Sequence, residues 1–147
     1  DWLRSWPIRP GETQLSLTPA YERWTFELMA EKDRTAFWEH PSYAPVRHQP
    51  ATPDQSALIM GSWYDSYTRG TFEAWRARRE AGGGRTQLMI GPWLHGTQTL
   101  EAASAGGIAF TPDAAIADYK RFLLAWFDRE LKGKGGGPIG DSPVRIM

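Results

Sequence analysis

Two short apolar runs organise the pattern of hydrophobic and polar positions: "ALIM" at 57–60 and "LMI" at 88–90, each closed by a glycine, then aromatics, then polar residues. Both runs are continuous rather than alternating, the pattern of strands buried on both faces of a parallel sheet. Between them the spacing predicts a helix over about 69–80, with Phe72 and Trp75 inward and Arg76, Arg78 and Arg79 mostly in water. "AGGGR" ends that helix, Gly82 to Gly84 supplying a left-handed cap. After the second run the chain loops through "ASAGGIAFTPD" to a long helix, about 113–131. Its Ile116, Tyr119, Leu123, Trp126 and Phe127 trace one face at helical spacing. Asp113 falls in its first turn, Lys132 near its last, and Gly133 stops it. "GKGGGPIGDSP" then reads as a linker, and "SPVRIM" as the opening of a strand.

The first third is different. Residues 1–17, with Pro7, Pro10 and Gly11, read as irregular. Thr18 caps a helix with Pro19 in its first turn, and Tyr21, Trp24 and Leu28 form a single apolar stripe on it. A second short helix is expected near 33–40, capped by Asp33, with Phe37 and Trp38 buried. "HPSYAPVRHQPATPD" at 40–54 carries too many prolines for extended regular structure and marks a boundary. Strands alternating with helices beyond it give an α/β layer with a parallel sheet. Two strands do not make a stable sheet alone. That argument, the start at Asp1 and the unfinished strand at "SPVRIM" give the expectation that these residues are cut from a longer chain.

Composition narrows the function classes. Seventeen basic and seventeen acidic residues cancel, so no net field argues for nucleic acid or an anionic membrane as partner. No stretch approaches the roughly 20 apolar residues of a membrane helix. Zero cysteines exclude disulfides, thiol nucleophiles and cysteine metal sites, without fixing the compartment. HExxH, P-loop and GxGxxG patterns do not occur, so no metal and no cofactor is expected. Of eight tryptophans, Trp63 and Trp93 follow the strand-ending glycines, where a pocket wall would be; the others read as core.

The candidate chemistry lies at the two strand ends. In an open α/β sheet, reactive groups collect beyond the carboxyl ends of the strands. Asp65 lies four residues after Gly61, and His95 four after Gly91. On neighbouring strands the two side chains would stand over one sheet edge. A carboxylate on one imidazole nitrogen fixes the tautomer, and the other nitrogen can take a proton from a nucleophile. Gly61 and Gly91 are expected to let the backbone turn off the strands, and Pro92 to stiffen the loop carrying His95. The plainer readings stay open: Asp65 as a helix cap near Ser66, His95 as a solvated loop residue. His40 and His48, in the proline-rich segment without a paired acid, read as structural, Asp54 as a loop residue and Glu73 as part of a solvated helix face.

"GSWYD", "GPWLHG" and "FLLAWFDRELKG", in this order, resemble the α/β-hydrolases of the X-Pro dipeptidyl-peptidase and cocaine esterase family. The resemblance implies a partial α/β-hydrolase fold, the last parallel strands and helices, preceded by part of a helical cap. Residues 1–50 would be cap, 51–132 the C-terminal part of the hydrolase domain, and 133–147 a linker and the start of a truncated jelly-roll β domain. It makes Asp65 the triad acid and His95 the triad base. The family's serine nucleophile, in G-x-S-Y-x-G, has no counterpart here; Ser104 in "AASAG" comes nearest but follows the histidine. The oxyanion donors would be missing with it. These residues alone are therefore expected to be inactive, the activity belonging to a parent serine hydrolase.

The implied reaction is cleavage of a small-molecule ester, amide or peptide substrate, Xaa-Pro bonds included, by way of an acyl-enzyme. Trp63, Tyr64, Tyr67 and Trp93 are the candidate substrate-binding residues, and suggest an aromatic, apolar pocket. By the resemblance Tyr67 lies against the acyl group; packing of the helix start is its plainer reading. Tyr67 and Thr68 stand where an amino-ester subgroup carries extra carboxylates, which argues against an ammonium-bearing substrate. The resemblance leaves room for a homo-oligomeric parent. The competing readings are a non-catalytic α/β domain binding an aromatic or apolar ligand, and a relic without function.

Overall fold

The computed structural model describes residues 4, 6–52, 54–82 and 84–147. They fall into two compact units, 1–44 and 45–147. In the first, a 3-10 turn at Gln14–Leu17 leads into helix α1, Pro19–Ala30, and a single-turn helix α2, Ala36–Glu39. Thr18 precedes α1 but makes no side-chain cap; its hydroxyl donates back to Leu15 O. The buried residue of α1 is Glu22, whose carboxylate accepts from Gly11 N at 3.0 Å and the Thr13 hydroxyl at 2.7 Å. Tyr21 and Trp24, two members of the expected stripe, are exposed. Trp24 uses its edge, its indole N–H donating to the Tyr43 hydroxyl at 2.6 Å, while Tyr43 stacks on Phe37. Helix α2 starts after Thr35 rather than at Asp33, and Phe37 and Trp38 are half-buried.

The second unit opens with a 3-10 stretch, Pro45–Ala51, inside the proline-rich segment. Strand β1, Ala57–Tyr64, is followed by α3, Thr68–Glu80, and β2, Thr86–Leu94. A small antiparallel pair, β3 at Ser104–Ala105 and β4 at Ile108–Ala109, precedes α4, Tyr119–Lys132. Strand β5, Val144–Ile146, ends the order. The sheet is parallel, β1-β2-β5, with β2 central. The stretch expected to open a separate β domain thus supplies a third strand to this layer.

Burial follows that order. Residues 86–93 of β2 are buried, as a central strand covered on both faces requires. Met89 and Trp93 join Leu100, Ile116 and Ile139 in one cluster, against which Tyr119 and Phe122 of α4 pack. Gln87 is buried in this core with every side-chain bond made. Its amide donates to Gly140 O and Ser142 O, and its oxygen accepts the Trp126 indole N–H at 3.1 Å. One side chain therefore ties the glycine-rich linker and α4 to the sheet.

Three further expectations are corrected in the second unit. Arg78 is buried, not solvated, because its guanidinium donates to Gln55 O under the helix. Of the three glycines after α3, Gly82 has the left-handed φ of 73° and Gly84 does not; Gly83 lies outside the described residues. Helix α4 begins at Tyr119, six residues later than about 113, with Asp118 as its cap accepting from Arg121 N at 2.9 Å. The reason is local: Ala114 O accepts an indole N–H from Trp93, and Ile116 N donates to Leu100 O. Neither group is free for a helical ladder, and Asp113 sits in a separate 3-10 turn.

Among the described residues no helix is long and apolar enough to cross a membrane.

Candidate active site

Both strands run past the glycines expected to end them. Gly61 lies inside β1 and Gly91 inside β2, neither with a positive φ. What Gly91 permits is contact: a Cβ there would meet the Trp93 indole at 2.5 Å. Pro92 lies in the strand too. Proline cannot donate to a ladder, and in a central strand it is accommodated at a bulge.

That bulge decides the site. The register pairs Gly61 with Ile90 and Ser62 with Gly91, then shifts by one so that Tyr64 pairs with Leu94. Pro92 and Trp93 together face Trp63, the two-against-one count of a β-bulge. Carried forward, the shifted register sets Asp65 beside His95; without it Asp65 would face Leu94. A one-residue slip turns every following side chain to the other face.

Asp65 and His95 meet. His95 Nδ1 lies 3.0 Å from Asp65 Oδ2, and the Asp65 side chain is 13% exposed against 70% for His95. The other carboxylate oxygen accepts from Tyr67 N at 2.9 Å, an Asx turn opening α3. Asp65 is therefore not the cap of α3, which starts after Tyr67; one of its oxygens closes the turn before the helix and the other meets His95. The Tyr67 amide and then the His95 contact hold the carboxyl below the ordinary aspartate range. An ionised carboxylate only accepts, so Nδ1 carries the proton, and in the neutral ring Nε2 is then the acceptor. His95 is followed by Gly96 at φ 108° and ψ 141°, a conformation that side chains rarely adopt.

The pair opens on a cleft of about 350 Å³ whose other walls include Met60, Ser62, Leu94, Leu100 and Tyr119. None of the four aromatics expected to form the pocket wall lines this cleft directly, though Tyr67 stands beside the imidazole. Trp93 is 0% exposed, a core residue and not a wall, because the bulge turns its ring under Gly91 and its N–H reaches Ala114 O at 2.8 Å. Trp63 packs on Phe72, and Tyr64 faces Phe110 at 6.3 Å. Tyr67 is exposed, its ring 5.4 Å from that of His95. Leu100 and Met60 carried no signal in the sequence beyond being apolar. Tyr119 was legible only as part of a helix face. His40 Nδ1 accepts from Ser42 N, and Glu73 pairs with Arg69 one helical turn away. Ser104 lies in β3, not at a strand-to-helix elbow.

A family model for X-Pro dipeptidyl-peptidase (S15 family) matches residues 8–97, well over half the chain and both members of the pair. The chain belongs to this family. Membership implies a hydrolase, and the parallel sheet with its helices is compatible with part of an α/β-hydrolase fold. The match stops short of α4, so the likeness of "FLLAWFDRELKG" lies outside it. No curated protein shows significant similarity to the chain.

The carboxylate contacts set an acid limit on stability. A carboxyl lowered in the fold contributes stability above its unfolded value, lost as pH falls through the folded one, since the unfolded state then binds more protons. Asp65 behaves so, and Asp141, lowered by Arg85 and Arg129, adds to it. Urea midpoints are therefore expected to fall below about pH 4, where free aspartate titrates. Asp141→Asn is expected to flatten that decline; an unchanged profile would contradict the assignment.

Proposed function

We propose that this chain supplies the acid and base of a serine hydrolase that cleaves ester or amide bonds through an acyl-enzyme. The nucleophile comes from another segment of polypeptide, since no serine here has glycines two before and two after it. The observation that carries the reading is the 3.0 Å contact of Asp65 Oδ2 with His95 Nδ1 beyond adjacent parallel strand ends. In this scheme Asp65 stays ionised and fixes the Nδ1–H tautomer. His95 Nε2 takes the serine proton as the hydroxyl attacks the acyl carbon, and returns it to the leaving alcohol or amine. Water then attacks the acyl-enzyme with the same nitrogen as base. The oxyanion donors come with the nucleophile.

For the substrate, Tyr67 beside the imidazole supports an apolar or aromatic acyl group. Thr68, the next residue, donates its hydroxyl to Asp65 O and Ser62 O, and neither it nor Tyr67 brings a carboxylate for a substrate ammonium. Xaa-Pro peptide bonds enter as the family's named substrate.

The test is hydrolysis of p-nitrophenyl butyrate. The 147 residues alone are expected to match buffer, and a polypeptide joining them to a G-x-S-x-G segment to turn over. In that polypeptide Asp65→Asn should lower kcat by about 10⁴-fold. Turnover by the 147 residues alone would place the nucleophile among them and contradict the scheme. A second reading, binding of an aromatic ligand without chemistry, is favoured by the exposure of Trp63, Tyr64 and Tyr67. It predicts fluorescence quenching by an aromatic ligand with no turnover in the joined polypeptide.

A further inference from the structure

Beyond the pair, one hydroxyl gathers the backbone around the histidine. Thr99 Oγ1 lies 2.8 Å from Leu94 O and 2.8 Å from Gly96 O. Thr99 N also donates to Gly96 O, at 3.1 Å. Those carbonyls belong to the peptide planes just before His95 and just after Gly96. Fixing both leaves the intervening torsions little room. The need is visible in the chain itself: Gly96 holds a conformation open mainly to glycine, and the His95 side chain is largely in water. A solvated imidazole on a glycine hinge has little besides the Asp65 carboxylate and the Tyr67 ring to aim it. The Ser62 hydroxyl reaches Leu94 O only at 3.5 Å, a weaker tie. Thr99 also lies beyond the residues matched by the family model.

We propose that Thr99 is a positioning residue: its shared hydroxyl clasps the turn that holds His95 Nδ1 against Asp65. Thr99 itself does not reach the reacting atoms. It acts on where the imidazole points, and so on which ring nitrogen carries the proton. The consequence for turnover rests on the hydrolase reading; the consequence for the tautomer does not.

The experiment is long-range proton–nitrogen NMR of the imidazoles in the 147-residue chain at pH 8, above the ordinary histidine range of about 6.5. Three histidines make assignment direct. Wild type is expected to show His95 as the Nδ1–H tautomer. Thr99→Val, isosteric but without the hydroxyl, is expected to move it to the Nε2–H form favoured in water, as Asp65→Asn does. Thr99→Ser, which restores the hydroxyl, is expected to restore the tautomer. In the joined polypeptide Thr99→Val should lower kcat by about 10²-fold with KM unchanged, the scale of a small misplacement of a catalytic group. Retention of the Nδ1–H form in Thr99→Val, or its loss in Thr99→Ser, would overturn the proposal. Loss of far-ultraviolet dichroism in Thr99→Val that Thr99→Ser does not share would also overturn it, since the hydroxyl would then support the fold rather than aim the ring. A wild-type ring in the Nε2–H form would remove the pair itself. A normal tautomer response without any turnover would sink the hydrolase reading alone.

Discussion

In a polypeptide that joins these residues to a serine elbow, His95→Ala is expected to lower kcat for ester hydrolysis by on the order of 10⁵- to 10⁶-fold, with KM little changed. The size follows from what the ring does. A serine hydroxyl is a weak nucleophile at neutral pH, and the base acts only as the bond forms. Its loss removes transition-state stabilisation without touching ground-state binding, so kcat and kcat/KM fall together. Asp65→Asn should cost less, because Nε2 can still accept a proton in the fraction of rings with the right tautomer. The ordering His95→Ala below Asp65→Asn below wild type is the checkable pattern. A drop under tenfold for His95→Ala would remove this residue from the chemistry.

Trp93→Ala is expected to destabilise the fold by about 3–5 kcal/mol, the usual cost of emptying a large buried aromatic site. That is a large share of the roughly 5–15 kcal/mol that separates native from unfolded proteins. Two losses add: the ring fills the cluster with Met89, Leu100, Ile116 and Ile139, and the buried Ala114 carbonyl loses its donor. Trp93→Phe separates them, keeping most of the volume and losing the N–H, and should cost about 1–3 kcal/mol for the unpaired carbonyl. The site should suffer as well, because Trp93 anchors the bulge that brings His95 level with Asp65. Urea unfolding, followed by far-ultraviolet dichroism, gives both numbers. A cost below about 1 kcal/mol for the alanine variant would mean that the indole is not the core residue described.

How much was legible depended on what decides each feature. The strand centres at 57–60 and 88–90 were readable because burial on both faces demands an unbroken apolar run. Their ends were not. Gly61, Gly91 and Pro92 look like breakers locally, but pairing between β1 and β2 carries the strands through them, with a bulge to absorb the proline. Asp65 and His95 were found by their equal distances from two glycines. The structure places them together for a different reason, since those glycines are themselves out of register by one and the bulge corrects it. Trp93 was misread because a residue after a strand-ending glycine belongs to a pocket wall, whereas one within a bulge can turn inward. Gln87 and Arg78 were missed because a buried polar side chain leaves no trace in a hydrophobicity pattern; only its tertiary partners, Gly140, Ser142 and Gln55, explain it. Thr99 is legible only once the carbonyls of Leu94 and Gly96 have coordinates.

In the proposed reaction Asp65 and His95 activate a serine carried on another segment of polypeptide. Its most direct test is the rate at which an acyl group transfers to that serine from p-nitrophenyl butyrate, read by quenched-flow and intact-mass spectrometry on the joined polypeptide. One acyl group per chain is expected on the elbow serine, its formation slowed about 10⁴-fold by Asp65→Asn and on the order of 10⁵- to 10⁶-fold by His95→Ala. Acylation at wild-type rate in both variants, or acylation at some other residue, would contradict it.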